Sequence, residues 1–440
     1  NPKSNWAAIG VYIYDSKAFD YIKTLKPSDR GELEITDLNN IYIDQNAMKA
    51  GFVKGYWFDT GTHESLVDAA YAIKNFNRPL EPLMYGEKNS PRIVIGGILY
   101  ENDKADYGTS GYLPDLLKSL KEQDYKNIEV IFVDNSPSAE NKSTAFIKEN
   151  FPEIEILRPG ENTGFARANN LMIKRAIEKG ADYFLASNID MIYEPNAVSE
   201  MLNAMLKSPQ IASVTCKIKR WDLSAKEKGG DGKTNFIDST GLTITKEHRF
   251  IDRGQGDIDY GQYDMEGEVF GVSGASALYR LSALEDVAFV NEDGGKEYYD
   301  ELMFMYKEDV DLAYRLQWAG YKAYFTPNAV IYHDRSVQGK GKGILDIIRG
   351  RAGRKREYKE WSWLNHHIIL KKMLDESYSK DVKLKTWLYE IKSNAYVLLF
   401  ERHIVKQWLE LFRMRKEIAK RREQLKKRIK AKAQIEKFME

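Results

Sequence analysis

The chain is 440 residues long, 43% hydrophobic and 30% charged, with a formal net charge of +1 at pH 7. That length exceeds one ordinary core and the composition excludes a disordered or fibrous chain, so two or three globular units are expected. A single cysteine, Cys216, excludes an internal disulfide.

No apolar run approaches the roughly 20 residues needed to span a bilayer, so a cytoplasmic protein is expected. The chain opens on Asn1 rather than a methionine, with no signal-peptide pattern after it, and a cut end is therefore expected. The near-neutral total hides an asymmetry. From Gly341 on there are about 27 Lys and Arg against about 13 Asp and Glu, which leaves the first 340 residues acidic. Such an end asks for an anionic partner.

In chain order, residues 1–75 begin with the alternating "WAAIGVYIYD", which suits a strand, followed by a capped helix in "PSDRGELEITDLNNIYI". "GFVKGYWFDTGTHESLVDAAYAIKNF" reads as strand, turn and helix, with Thr62 a plausible N-cap. Residues 76–91 form a proline-containing linker. From Arg92 the pattern alternates: strand "RIVIGGILY", helix "GYLPDLLKSLKEQDY", strand "IEVIFVDNS", helix "AENKSTAFIKENF", strand "IEILRPG", helix "GFARANNLMIKRAIEKG", strand "ADYFLASNIDM". This alternation predicts an α/β fold with a mostly parallel, doubly wound sheet, whose ligands bind at the carboxyl ends of its strands. Asp134 and Asn135 follow one such strand, and Asn188 and Asp190 another.

Residues 341–440 are predicted to be a basic helical extension, with Ile404, Trp408, Leu411, Phe412, Ile418, Leu425 and Ile429 at helical spacing. Two readings stay open for it. The helices pack on the rest of the chain or on a second subunit, or they lie on anionic lipid with Trp408, Leu411 and Phe412 in the interface. Nucleic acid is not expected as a partner, because no reading motif is present and the other 340 residues are acidic.

Over residues 92–340 the ordered set "FVDNSPSAEN", "NTGFARANN", "SNIDM", "GVSGASALYR", "YDELMFMYKEDVDLAYRLQWAGY" and "PNAVIYH" resembles family 2 glycosyltransferases of the GT-A nucleotide-diphospho-sugar fold, in the rhamnosyltransferase-like branch. The resemblance implies an inverting, metal-dependent transferase. Its donor would be a nucleotide-diphosphate sugar, and its acceptor a glycan or lipid-linked molecule at the inner face of the cell membrane. L-Rhamnose from dTDP-rhamnose is the first expectation. Hexose or galactofuranose transfer and a silent membrane scaffold are the alternatives.

By the same resemblance, Asp134 and Asn135 contact the donor nucleotide, although Asx residues also form plain turns. Asn162, Gly164, Arg167 and Asn169 of "NTGFARANN" line the donor side, where a simple helix start is the alternative. "SNIDM" stands at the family's DxD position, with Asn188 in the first place, so that Asp190 and His333 would hold a divalent ion, Mg2+ or Mn2+. A packed histidine is the alternative for His333. Asp309 would be the general base and Glu308 would help to place the acceptor, against the alternative of a solvated helix face, while Asp311 is read as structural. Gly271, Ser273 and Gly274 would lie under the acceptor, or merely pack a strand tightly.

Residues 1–75 resemble part of the sugar-1-phosphate nucleotidyltransferases of the glucose-1-phosphate thymidylyltransferase type, through "NWAAIGVYIYD", "LKPSDRGELEITDLNN" and "GYWFDTGTHESLVDA". In that family the aspartate corresponding to Asp59 shares a magnesium ion with an aspartate from a half that this chain does not contain. Nucleotidyl transfer by this chain alone is therefore not expected. A fragment of a fused enzyme and a non-catalytic remnant are both open.

Overall fold

The computed structural model describes residues 12–28, 30–49, 90–102, 107–335, 355–429 and 435–440. Asn1–Asn89 and Ser90–Glu440 are separate units. In the first, helices Ala18–Ile22 and Ile35–Asp44 meet through Ala18, Leu38 and Tyr42, the second helix falling within the stretch predicted as helical. Residues 6–11 of the strand predicted at 6–15 lie outside the described residues and 12–15 form no strand; most of the linker and the whole segment that contains Thr62 and Asp59 also lie outside.

In the second unit, the run IVIGGIL has no polar side chain and forms β1 (Ile93–Leu99), almost wholly buried as the centre of a parallel sheet must be. The alternation continues as α1 (Leu113–Lys121), β2 (Ile128–Asp134), α2 (Lys142–Asn150), β3 (Glu155–Leu157), α3 (Gly164–Glu178) and β4 (Tyr183–Ser187). β1 pairs in parallel with both β2 and β4, and β2 in parallel with β3. Beyond β4 come β5 (Met191–Tyr193), α4 (Ala197–Leu206), β6 (Ile211–Trp221), β7 (Lys233–Ser239), β8 (Leu242–Ile244), β9 (Phe250–Asp252), β10 (Gly267–Val269), β11 (Ser276–Arg280), α5 (Glu308–Trp318) and β12 (Lys322–His333).

The main sheet has ten strands in the order β10-β12-β6-β11-β4-β1-β2-β3, with β5 added on β12 and β7 on β6. β11 runs antiparallel between β4 and β6, so the sheet is mixed beyond its parallel first half. One face is covered by α1 and α4, the other by α3 and α5.

The C-terminal helices are α6 (Arg356–Met373), α7 (Lys380–Phe400), α8 (Lys406–Arg413) and α9 (Arg415–Lys426). They share a core with α5 and the β8–β9 hairpin, built on Trp363, Ile368, Ile369, Met373, Ile404, Leu411, Ile418 and Leu425. Packing on the rest of the chain therefore accounts for most of the apolar stripe seen in the sequence, and Leu411 faces inward rather than outward. The boundary expected at 340 separates no independent body, since Ser90–Glu440 is one unit.

Part of the anionic partner that the basic end requires is the protein itself. Lys372, wholly buried on α6, pairs with Asp300 and with Asp311 of α5. Arg421 of α9 reaches Glu297 at 2.7 Å and Asp300 at 2.9 Å. Burial works against the charge of Asp300, but Lys372 and Arg421 outweigh it and hold this carboxyl below the ordinary range. A charge buried at this depth is tolerated only with its partners, and deleting one partner costs about 3–5 kcal/mol. Lys372→Met is thus expected to lower the urea midpoint by that order of stability; a wild-type midpoint would show that the network contributes nothing.

Candidate functional site

Because β1 lies between β2 and β4, the carboxyl ends of the three strands open together at the point where the winding changes direction. Asp134 ends β2 and is buried, accepting from the Ser136 amide at 2.9 Å and the Asn141 side chain at 3.0 Å, and it pairs with Arg158. Asn135 accepts from the Thr163 hydroxyl at 3.0 Å and donates to the Gly164 carbonyl at 3.1 Å, which ties the end of β2 to the start of α3.

At that start, Asn162 accepts from the Gly164 amide at 3.0 Å. Gly164 itself has φ +72°. The close approach it permits is to protein: a Cβ there would stand 2.3 Å from the Phe304 carbonyl oxygen. Arg167 is exposed and pairs with Glu161, and Asn169 is buried and donates back to the Phe165 carbonyl.

The loop after β4 meets the end of β12. The Nε2 of His333 lies 3.3 Å from Asp190 and 3.4 Å from the Asn188 amide group, while Nδ1 contacts Asp238 at 2.8 Å. Burial opposes protonation of His333, but the charges and hydrogen bonds of Asp190 and Asp238 overcome it and raise the imidazole to about 10. Arg335 then bridges Asp238 at 3.2 Å and Asp252 at 2.9 Å.

Once the imidazole has given up its Nε2 proton, this donor set fits a divalent cation. Neighbouring ligands of an octahedral ion, each about 2.1 Å from the metal, stand about 3 Å apart. A carboxylate on the far ring nitrogen is also the usual way to orient a ligating histidine. Among the described residues no group of three or more His, Cys, Asp or Glu is assembled for a metal, so Asp190 and His333 would leave the remaining positions to ligand oxygens and water.

Asp309 sits in the first turn of α5, where the helix dipole favours an anion. Its carboxylate accepts from the Gly274 amide at 2.9 Å and the Val310 amide at 2.8 Å. A Cβ on Gly274 would stand 3.3 Å from that carboxylate, and one on Gly271 would stand 2.5 Å from Ala313, so these glycines dock the strand segment against α5. Ser273 is buried between them in the chain. One residue on, Ala275 accepts from the Asn188 amide at 2.9 Å. The segment before β11 therefore touches both the Asn188 loop and Asp309.

Burial raises the carboxyl of Asp309 while the Gly274 amide opposes the rise. Glu308 is pushed well above the ordinary range, first by burial and then by the charge of Asp309, and its Oε2 has no partner among the described residues. Both carboxyls are thus raised, Glu308 the more strongly, and Asp309 is the one that meets the Gly274 amide. Asp311 faces the interior, with Arg315 at 2.8 Å.

Residues 107–287 match the glycosyl transferase family 2 model, and residues 1–75 match the nucleotidyl transferase model. The middle of the chain is a family 2 glycosyltransferase domain. Over 75 residues the chain is 52% identical to a glucose-1-phosphate thymidylyltransferase of Neisseria meningitidis and 55% identical to one of Xanthomonas campestris pv. campestris, covering 17% of this chain and 26% and 25% of theirs. The chain thus spans about a quarter of the length of the curated relatives it matches. A mannosyltransferase from Pyrobaculum calidifontis, solved with GDP-Man and Mn2+, superposes with TM-score 0.40 at 14% identity, over 79% of this chain and 81% of that one.

Several residues that organise the glycosyltransferase domain carry no sequence signal of their own. Asp238, Asp252 and Arg335 are ordinary charged residues until β7, β9 and the end of β12 bring them together. Asn170, passed over beside Asn169, accepts from the Tyr298 and Tyr299 amides at 3.1 and 2.7 Å and donates to Glu301 at 2.9 Å. Tyr306 and Lys307 have φ +75° and +68°, strain of the kind that persists only where the surroundings impose it. Asn365 of α6 supplies part of that restraint by donating to the Met305 and Tyr306 carbonyls at 2.9 and 2.7 Å.

Gly164→Ala is expected to disturb both the left-handed turn and the Phe304 contact, with at least about 1–2 kcal/mol lost to backbone strain alone. Thermal unfolding checks this, and an unchanged midpoint would mean that Phe304 moves away freely.

Proposed function

We propose that the domain transfers a sugar from a nucleotide-diphosphate donor to a hydroxyl of a glycan or lipid-linked acceptor, with inversion. The observation that carries the reading is the carboxyl group of Asp309, held by two backbone amides at a helix N-terminus beside the buried Glu308. In the proposed step Asp309 takes the proton of the acceptor hydroxyl. The acceptor oxygen bonds to the anomeric carbon, and the bond from that carbon to the diphosphate breaks on the opposite face. Glu308 is the hydrogen-bond donor that steadies the acceptor. A divalent ion, Mg2+ or Mn2+, held by Asp190 and His333 would neutralise charge on the departing diphosphate.

Asp134, Asn135, Asn162, Gly164, Arg167 and Asn169 shape the donor side. Asp134 and Asn135 already have protein partners, so they act chiefly by fixing the strand ends. The thymidylyltransferase-like residues 1–75 favour a dTDP sugar, with L-rhamnose the first choice. The activity proposed for the domain is sugar transfer.

Asp309→Asn is expected to lower turnover roughly a hundredfold to ten-thousandfold while leaving the affinity for dTDP with Mn2+ unchanged. Turnover close to wild type would remove Asp309 from the base role. Titrating dTDP, UDP and GDP with and without Mn2+ names the nucleotide.

The same reading includes a peripheral site on an anionic membrane, carried by α7. Leu384, Trp387, Leu388, Ile391, Leu398 and Leu399 are 42% to 66% exposed along one side of this helix, while Val382, Thr386 and Val397 face inward. Lys385 and Lys392 flank the stripe, a charge pattern that suits anionic lipid better than a second copy of the same lysines. Leu409 and Phe412 of α8 are also exposed. None of the described helices is long and apolar enough to cross a membrane. Replacing Leu388 and Ile391 with Glu should release the protein from liposomes containing phosphatidylglycerol, and undiminished binding would end the membrane reading.

A further inference from the structure

Between the β8–β9 hairpin and helices α6 and α7 lies a cavity of about 130 Å³, lined in part by Arg249, Lys307, Ser362, Trp363, His366 and Ser393. It has room for a group several waters in size. Its wall is rich in donors. Lys307 donates to the Ser362 hydroxyl oxygen at 2.9 Å, which leaves that hydroxyl's own proton to be donated elsewhere. Arg249 forms no ion pair with a described carboxylate.

Glu390 of α7 is engaged by His366 at 2.8 Å and His367 at 2.9 Å and is not part of the lining. Trp363 packs in the same wall, its ring stacked on His367. Two cations and two serine hydroxyls make a wall suited to an oxyanion.

The cavity adjoins the catalytic turn rather than the Asp190 and His333 side. Lys307 belongs to its wall and immediately precedes Glu308 and Asp309, and Ser362 and Trp363 lie one turn before Asn365, which clamps that turn. We propose that this cavity binds an oxyanion carried by the acceptor, a phosphate or carboxylate group, and so sets the acceptor hydroxyl against Asp309. The inference rests on the transferase reading above. Arg249 and Lys307 provide the charge, Ser362 and Ser393 provide the hydrogen bonds, and Trp363 reports occupancy from the wall.

The test is fluorine NMR of the full chain labelled with 5-fluorotryptophan, the Trp363 resonance being assigned by its loss in Trp363→Phe. Inorganic phosphate should shift this resonance saturably, and Arg249→Ala should raise the midpoint at least tenfold. A resonance that does not move, or that moves with the same midpoint in Arg249→Ala, overturns the proposal. Farnesyl phosphate and glucuronate then separate the sources: a lower midpoint for the first assigns a lipid phosphate, and for the second an acidic glycan.

A parallel dTDP titration with Mn2+ reports the fold of each variant and keeps the two readings apart. Wild-type protein that binds no nucleotide strikes the transferase reading. Intact nucleotide binding with no phosphate response strikes the cavity alone.

Discussion

The second unit depends on where a few charges are buried. Asp300 and Asp311 flank the turn that carries Glu308 and Asp309, and both pair with Lys372, deep beneath α6. Buried charges of this kind are costly unless paired, and Lys372 is the shared partner of both acids. Arg421 and Glu297 extend the network to α9, and Arg315 closes it on α5. The helices at the C-terminal end are thereby part of what holds the turn before α5 in its strained shape.

A second set of charges joins the two halves of the site. Asp190 reaches His333, His333 reaches Asp238, and Arg335 spans Asp238 and Asp252. The charge of Asp252 is in turn one of the influences that raise Asp309. Asp190 and His333 are therefore linked electrostatically to Asp309 through Asp238, Arg335 and Asp252. Glycines do the equivalent work in the backbone. Gly274 lends its amide to Asp309, and Gly164 admits the Phe304 carbonyl.

Much of the fold was legible from periodicity. The alternation from Arg92 through β4 appears strand for strand and helix for helix, because a parallel sheet covered on both faces forces apolar strands and amphipathic helices. The candidate residues were legible only as types at the right positions. That Asp309 rather than Glu308 keeps its hydrogen-bonded carboxylate depends on which one meets the Gly274 amide. Adjacent acids in a sequence do not reveal that.

The C-terminal end shows the opposite limit. Its helical spacing was visible, but the longest exposed apolar face lies on α7, while Ile404, Leu411, Ile418 and Leu425 pack inward and Phe412 stays exposed. Sequence by itself determined the element order, the α/β class and the acids that chemistry can use, since these follow from local patterning. Only the tertiary structure decided which cations are internal partners, which glycines admit a backbone and which wall of the α6–α7 cavity offers donors. Those outcomes depend on contacts between residues far apart in the chain, and burial there changes the energy of every charge involved.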